Sequence, residues 1–505
     1  MQLLKITLTH LFPLVLLATP TLAADLRVEC RNGKAGEASA VQVTGDAGAG
    51  FHLFVRAEDP SLPLASVYLP SISPLRSGPS NMMLGGTLDE KGGSTVEFDA
   101  SLALDGKRLR FVARYTSGSL SLSNQARKTF LAANTAGEAS SSAVGASFLG
   151  ELYGMRDGSA MAIGGAGPLV TIYDPVSEET RLAGILSGLP LFQTRVQLAD
   201  DRVLLVGGLD TQGAPLANAQ LFDPATGFST DLAPMASARA GACAARLANG
   251  KVLIIGGLSV IDITDPATFF SGILNTTEIF DPATGLFTPG PNIPERKAFA
   301  TATLLNNGQV LVSGGLGVLP IVNIPFVSNT GYLYTAGTNS FGFFPKLFTE
   351  GRFFHNATKL KDGRVMLSGG ITADLSDVLK TGDLTQIAFN TIASTSVYTT
   401  AGSGSFSNGP TLATSRALHT SSALADGRAL HAGGVSGALD IGSILTGVPV
   451  LPAATDTCEL TTTTTVVAGP TLPGVRAGAS AWTDPGNSRV VIYGGGATSV
   501  LLYQP

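Results

Sequence analysis

Seven short apolar runs along the chain end in a glycine pair: SAMAIGG, RVLLVGG, KVLIIGG, QVLVSGG, RVMLSGG, RALHAGG and RVVIYGG. The pairs are Gly164-Gly165, Gly207-Gly208, Gly256-Gly257, Gly314-Gly315, Gly369-Gly370, Gly433-Gly434 and Gly494-Gly495. Runs this short, rich in Val, Ile and Leu, predict buried strands. A turn signal precedes each: Asp157-Gly158, Asp200-Asp201, Asn249-Gly250, Asn307-Gly308, Asp362-Gly363, Asp426-Gly427 and, in the last copy, Gly486-Asn487. Asn-Gly and Asp-Gly predict tight two-residue hairpins with both central residues at positive φ. The strands on the upstream side read ACAARLA, ATATLLN, NATKLK and TSSALA. Beyond each glycine pair a variable loop leads to a third strand, which ends on an aromatic in all but one unit: Tyr173, Phe222, Phe280, Tyr334, Tyr398 or Tyr503. Asp-Pro-Ala-Thr-Gly at 223–227 and 281–285 then turns the chain into a short strand bearing Phe228 or Phe287. Each unit is thus four short antiparallel strands, and one such sheet buries its faces only by stacking on its neighbours. The glycines mark strand ends that need positive φ or a close backbone approach.

A four-stranded unit with a glycine pair and a downstream aromatic resembles the kelch repeat, a β-propeller blade. The resemblance covers residues from about 140 to 505 and is carried further by Arg239, Arg352, Arg416 and Arg476, which open the upstream strands. It implies an all-β chain with a seven-bladed kelch-like propeller over 147–505. Departures are Phe in place of the usual Trp, no such Arg in the first two units, and Arg296-Lys297 one place out of register in the fourth. The sixth unit has Leu460 and the run Thr461 to Thr465 in place of its aromatic and turn. The seventh unit reaches Pro505 after three strands, so a strand from between about Ala126 and Ser147 is expected to complete it.

Residues 24–134 lack the repeat and alternate apolar and polar positions in LRVEC, AVQVTG, FHLFVRA, STVEFDA and RLRFVARY. This predicts a small antiparallel β-sandwich, similar in outline to immunoglobulin-like domains but with only Cys30. Residues 135–146, TAGEASSSAVGA, read as a linker or the blade-closing strand. Residues 1–23 carry Lys5, an apolar stretch from Leu11 to Ala18 and small residues before Ala24, which predicts a signal peptide and a secreted, periplasmic or cell-envelope location.

Composition narrows the role. Charged residues are 14% of 505 and the net charge is -5, which argues against a nucleic-acid footprint. No run after the signal reads as a membrane span. Cys30, Cys243 and Cys458 are far apart in sequence and read as small buried hydrophobes. His355 and His419 share one repeat position, three residues after the repeat arginine, and His431 lies on the next strand. Strand packing explains them better than metal binding. Kelch propellers also include galactose oxidase and its relatives, copper enzymes; the resemblance implies a Tyr-His pair and a Cys-linked Tyr for that chemistry, and no Tyr-His pair occurs. No sialidase-type box, nucleophile elbow or phosphate loop is present.

Four long apolar loops follow consecutive glycine pairs, at 258–276, 316–330, 371–391 and 435–457. Equivalent loops leave a propeller on one face, so these either pack into a cap or form an exposed patch. Their residues make a candidate interaction face: Ile263, Phe269, Phe270 and Ile273; Ile321, Ile324 and Phe326; Leu379, Ile387 and Phe389; Ile441, Ile444, Leu445 and Val448. The expected function is non-catalytic binding of an extracytoplasmic protein or glycan, with no cofactor and no catalytic residues. The alternative is a metal-dependent oxidase or hydrolase at the propeller axis.

Overall fold

The computed structural model describes residues 27–30, 34–35, 38–57, 76–78, 81–91, 93–99, 107–115, 122–141, 149–164, 168–188, 190–262, 265–319, 324–375, 387–439, 453–496 and 499–505. The expected signal peptide at 1–23 lies outside them, as do Gly165, Ile263, Ile321, Leu379, Ile441, Ile444, Leu445 and Val448. Among the described residues no helix is long and apolar enough to cross a membrane.

The chain is all-β, and its larger part is a β-propeller. One four-stranded figure occurs seven times among the described residues, in six of them with the strands in chain order. Sheet 1 comprises Glu151–Gly154, Ala160–Ile163, Leu169–Asp174 and Glu179–Ile185. The first strands of sheets 2 to 7 are Thr194–Gln197, Cys243–Arg246, Thr301–Leu304, Asn356–Lys359, Thr420–Ala423 and Ala479–Thr483. These first strands lie side by side from sheet 2 through sheet 7, and the last abuts Glu151–Gly154, so they line a central axis. Sheet 7 is completed by Thr135–Ser141, antiparallel to Ser499–Gln504. That strand covers an edge that would otherwise present unpaired backbone groups.

The second strands explain the apolar runs. Ala160–Ile163, Val203–Val206, Val252–Ile255, Val310–Ser313, Val365–Ser368 and Ala429–Ala432 are buried at every position. Both of their faces pack against neighbouring sheets, so alternation is lost. The hairpins before them differ from the expected two-residue form. In sheet 3 the Gly250 amide donates to the Leu247 carbonyl (2.9 Å) and the Leu247 amide to the Lys251 carbonyl (2.7 Å). Gly250 has φ 85° and Asn249 does not share the positive φ. This is a type I turn followed by a left-handed glycine, and Asn249 Oδ1 holds it by accepting the Lys251 amide. The Asn side chain supplies by hydrogen bonding what was expected of its backbone.

The glycine pairs join neighbouring sheets. Gly256 and Gly257 have φ of 63° and 96°, and the other pairs of sheets 2 to 7 are also positive. The second glycine's amide donates to the carbonyl of the repeat cation in the next sheet: Gly208 to Arg239 (2.9 Å), Gly257 to Lys297 (2.8 Å), Gly315 to Arg352 (2.8 Å) and Gly370 to Arg416 (2.8 Å). A Cβ on Gly207, Gly256, Gly369 or Gly433 would collide with that carbonyl or its residue. Each cation's head group then donates to the carbonyl of the first glycine in its own sheet: Arg239 to Gly256 (2.8 Å), Lys297 to Gly314 (3.0 Å), Arg352 to Gly369 (3.0 Å), Arg416 to Gly433 (2.8 Å) and Arg476 to Gly494 (3.0 Å). Lys297, which seemed out of register, occupies the arginine position, and its neighbour Arg296 is the displaced one. Arg239 and Arg416 also pair with Glu278 and Glu459 (2.8 and 2.6 Å).

The N-terminal region forms two sheets, Arg27–Cys30 with Ala38–Thr44 and Gly93–Asp99, and a five-stranded sheet that includes Gly50–Ala57 and Lys107–Tyr115. Alternate residues are buried: Val41 and Val43, Phe51, Leu53 and Val55, Leu109, Phe111 and Ala113. This is the inward face of a sandwich. Glu178, fully buried in the last turn of sheet 1, ties it to the propeller. Its Oε2 accepts from the Thr129 amide (2.7 Å) and hydroxyl (2.6 Å), and its Oε1 accepts from Arg489 Nη1 (3.1 Å) with Lys128 Nζ at 3.7 Å. The three cysteines are buried and unbridged, and burial pushes each thiol up to about 12.

Two stability outcomes follow. Gly256→Ala costs at least about 1–2 kcal/mol from the left-handed backbone alone, more once the Lys297 carbonyl is displaced; unchanged urea unfolding rules this out. Glu178→Leu strands Lys128 and Arg489 without their carboxylate and costs about 3–5 kcal/mol; a variant as stable as the parent refutes the assigned role.

Candidate functional site at the propeller axis

One position repeats around the axis, two residues before the inner strand in sheets 1 to 6 and one before it in sheet 7. Leu149, Phe192, Gly241, Phe299, Phe354, Leu418 and Gly478 occupy it, and all seven have φ between 49° and 69°. Backbone bonds run from one sheet to the next: Gly241 amide to Phe192 carbonyl (3.0 Å), Phe299 to Gly241 (2.8 Å), Gly478 to Leu418 (2.7 Å) and Leu149 to Gly478 (2.9 Å). Five of the seven are not glycine, and each left-handed residue costs about 1–2 kcal/mol. Full burial of a Phe or Leu side chain returns about 1.5–3 kcal/mol, which offsets the strain at the buried Phe299 and Leu418, while Leu149, Phe192 and Phe354 are half-buried against the same cluster. Phe192, Phe299 and Phe354 meet one another, with ring centroids 5.0, 5.9 and 4.7 Å apart. Strained backbone gathered on one axis is a pointer to function.

A cavity of about 290 Å³ lies beside this aromatic ring. Its apolar wall is Leu149, Pro190, Leu191, Phe192, Phe299 and Phe354; its polar wall is Glu151, Gln193, Arg195, Thr301 and His355. Gln193 and Arg195 lie two residues apart on one inner strand and its approach, so the pleat turns them to the same side. Tyr153 donates to Glu151 Oε2, and Arg195 Nη1 donates to the Leu149 carbonyl (3.0 Å). Burial pushes the Glu151 carboxyl up to about 7, against the opposing pull of Arg195. Gln193 Oε1, Arg195 Nε and His355 Nδ1 are buried without a partner among the described residues.

The histidines are arranged as strand neighbours. His355 Nε2 meets Thr301 Oγ1 (3.0 Å), His419 Nε2 meets Ser368 Oγ (3.1 Å), and His431 contacts Ser421 and Thr461 hydroxyls (3.1 and 2.8 Å). Burial holds all three below the usual histidine range. Among the described residues no three His, Cys, Asp or Glu side chains are placed to share a metal ion. The axial donor set, one carboxylate, one phenol and the single imidazole of His355 facing a guanidinium, lacks the several imidazole ligands that a copper centre favours.

The apolar loops resolve into a cap where they are described. Phe269, Phe270, Ile273 and Phe389, expected on an interaction face, are buried in one cluster with Leu316, Val318, Phe353, Ile371 and Leu439. This is a correction: their apolar surface is already covered by neighbouring loops, as monomers rarely leave large patches open. Ile387 packs on the cluster's edge, Phe326 is half-buried and Ile324 is exposed. A short helix, Pro266–Ser271, and paired strands such as Phe389–Thr391 with Ala438–Leu439 build the cap. Phe299 and Leu418 belong to both cap and axial ring. Both glycines of every pair in sheets 2 to 7 stand at positive φ. Sequence reading missed Glu151, Gln193 and Arg195, which recur in no other unit.

No family model matches the chain, and no curated protein matches it in sequence. Among solved structures it is similar to that of YjhT at 13% identity, covering 63% of this chain and 94% of that one, with a TM-score of 0.43. It is also similar to a fungal alcohol oxidase of the AA5 family, solved in complex with copper, at 15% identity over 71% of this chain and 74% of that one, with a TM-score of 0.50. At these identities the likeness is one of fold.

The pH dependence of stability tests the axial environment. Glu151 is protonated in the folded chain up to about pH 7, but ionises earlier once unfolded. The folded state therefore holds an extra proton, and the Glu151 contribution to stability falls as pH rises through that interval. Glu151→Gln is expected to melt above the parent at about pH 8, with the gap closing towards about pH 5. A gap that is the same at both pH values defeats the assignment.

Proposed function

We infer that this chain is an exported, kelch-type propeller that binds an extracytoplasmic ligand at its axial mouth without catalysing a reaction on it. The signal-like segment at 1–23 supports export. The observation that carries the binding reading is the axial cavity: an aromatic wall of Phe192, Phe299 and Phe354 facing Glu151, Gln193, Arg195, Thr301 and His355. Concave, mostly apolar sites with a few convergent polar groups are where ligands bind. A cavity of about 290 Å³ favours a glycan end over a protein surface.

The second reading, a metal-dependent oxidase at the axis, draws on the fold shared with the copper-containing alcohol oxidase. The donor set at the axis argues against it. Purified protein probed against immobilised glycans and envelope proteins separates the two. The binding reading expects capture that Phe354→Ala weakens by about tenfold, the scale of a lost aromatic contact. Stoichiometric copper uptake with peroxide release from alcohols, and no capture, supports the oxidase instead.

A further inference from the structure

The two sheets of the N-terminal sandwich differ in charge. The three-stranded sheet carries Glu29, Glu97 and Asp99 against Arg27. The five-stranded sheet comprises Arg76–Gly78, Asn81–Thr87, Gly50–Ala57, Lys107–Tyr115 and Leu122–Phe130. Lys107, Arg108, Arg110 and Arg114 share one of these strands, and none of the five contains aspartate or glutamate. The chain as a whole is acidic, with 37 Asp and Glu against 32 Lys and Arg. Leu109, Phe111 and Ala113 are buried in the sandwich, so Arg110, Val112 and Arg114 stand on the outward face.

Register sets like charges side by side. Arg110 pairs with Arg56 on one side and with Arg127 on the other. Neighbouring strands lie about 4.8 Å apart, so these three positions span about 10 Å. Like charges directly opposite one another destabilise a sheet. Arg108, at the propeller end of the strand, is spent on Glu178: its Nη2 donates to that residue's carbonyl (2.9 Å). Among the described residues no carboxylate pairs with Arg110 or Arg114. Arg114 instead lies over the Phe54 ring, its Cζ 5.9 Å from the centroid, which orients the guanidinium.

We propose that this outward face, centred on Arg110 and Arg114, binds an acidic polysaccharide at a site separate from the propeller axis. A guanidinium presents paired donors that match the edge of a carboxylate or a comparable oxyanion. Arg110 and Arg114 are four residues apart on one strand, about 13 Å, too far for one small anion to meet both. The ligand therefore repeats its charge along a polymer. Val112 and its strand partner Phe54 lie between them and are half-buried, so neither protrudes to enter a lipid layer. The net charge of -5 disfavours a nucleic acid.

Affinities of the purified full chain for polygalacturonate, heparin, neutral dextran, phosphatidylglycerol vesicles and a DNA duplex test it. At least one acidic polysaccharide is expected to bind and dextran is not. Polygalacturonate alone identifies carboxylates, and heparin alone identifies sulfates. Binding is expected to be lost as salt rises from about 0.01 to about 1 M, which shortens the Debye length from about 30 to about 3 Å. Arg110→Gln is expected to weaken the polysaccharide by at least about tenfold. The same variant is expected to melt at or above the parent, because it removes a like charge from a paired row. Arg114→Gln, outside that row, is expected to weaken binding on the same scale. No binding to either acidic polysaccharide overturns the proposal, as does tighter binding to the vesicles or the duplex. Affinity unchanged in both variants also overturns it.

Discussion

The propeller depends on one exchange between neighbouring sheets. A buried cation donates to the first glycine carbonyl of its own sheet, while its own backbone carbonyl accepts from the second glycine amide of the sheet before. The arrangement explains both partners. The carbonyl approaches where a Cβ would stand, and positive φ turns the amide outward, so only glycine serves. Arg239, Arg352, Arg416 and Arg476 are among the largest fully buried side chains of the chain. A buried guanidinium is costly unless its donors are met. Here backbone carbonyls, hydroxyls and, in two sheets, a glutamate meet the guanidinium nitrogens, leaving Nε unpaired in three of them.

The axial ring inherits its geometry from that exchange. The staple cation stands two residues before the left-handed position, so fixing the cation's carbonyl fixes where the chain turns towards the axis. Once sheets are held at this spacing, the turn residues bond one another around the mouth. Their side chains then have nowhere to go but inward, where three Phe residues meet. The cap extends the same logic outward, since Phe299 and Leu418 are shared with it.

Local features were legible in the sequence because their physics is local. Turn glycines, apolar second strands and the third-strand aromatics each report on a handful of adjacent residues. The register of Lys297 was missed because Arg296 beside it looked like the repeat residue, and only the carbonyl it must reach tells them apart. The left-handed ring was invisible for a different reason. Phe192, Phe299 and Phe354 carry no sign of positive φ, a conformation imposed by neighbouring sheets rather than by residue type. Likewise Phe269, Phe270 and Phe389 read as apolar loop residues in isolation, and burial is decided by loops distant in sequence.

The cavity lies where the repeat is broken. Sheets 3 to 7 each spend a cation on the staple; sheet 2 has Pro190 at that position. With no staple to make there, the guanidinium of Arg195 packs against Gly164 of the preceding sheet and reaches the axis. Glu151 and Gln193 come from the same two sheets. A residue that recurs in every unit answers to the demands of stacking, which are the same in every unit. Glu151, Gln193 and Arg195 occur once and answer to no such demand. The first two units both lack the repeat cation, so the inner-strand side chains that line the cavity between them are released from the stacking role that fixes their counterparts in the other sheets.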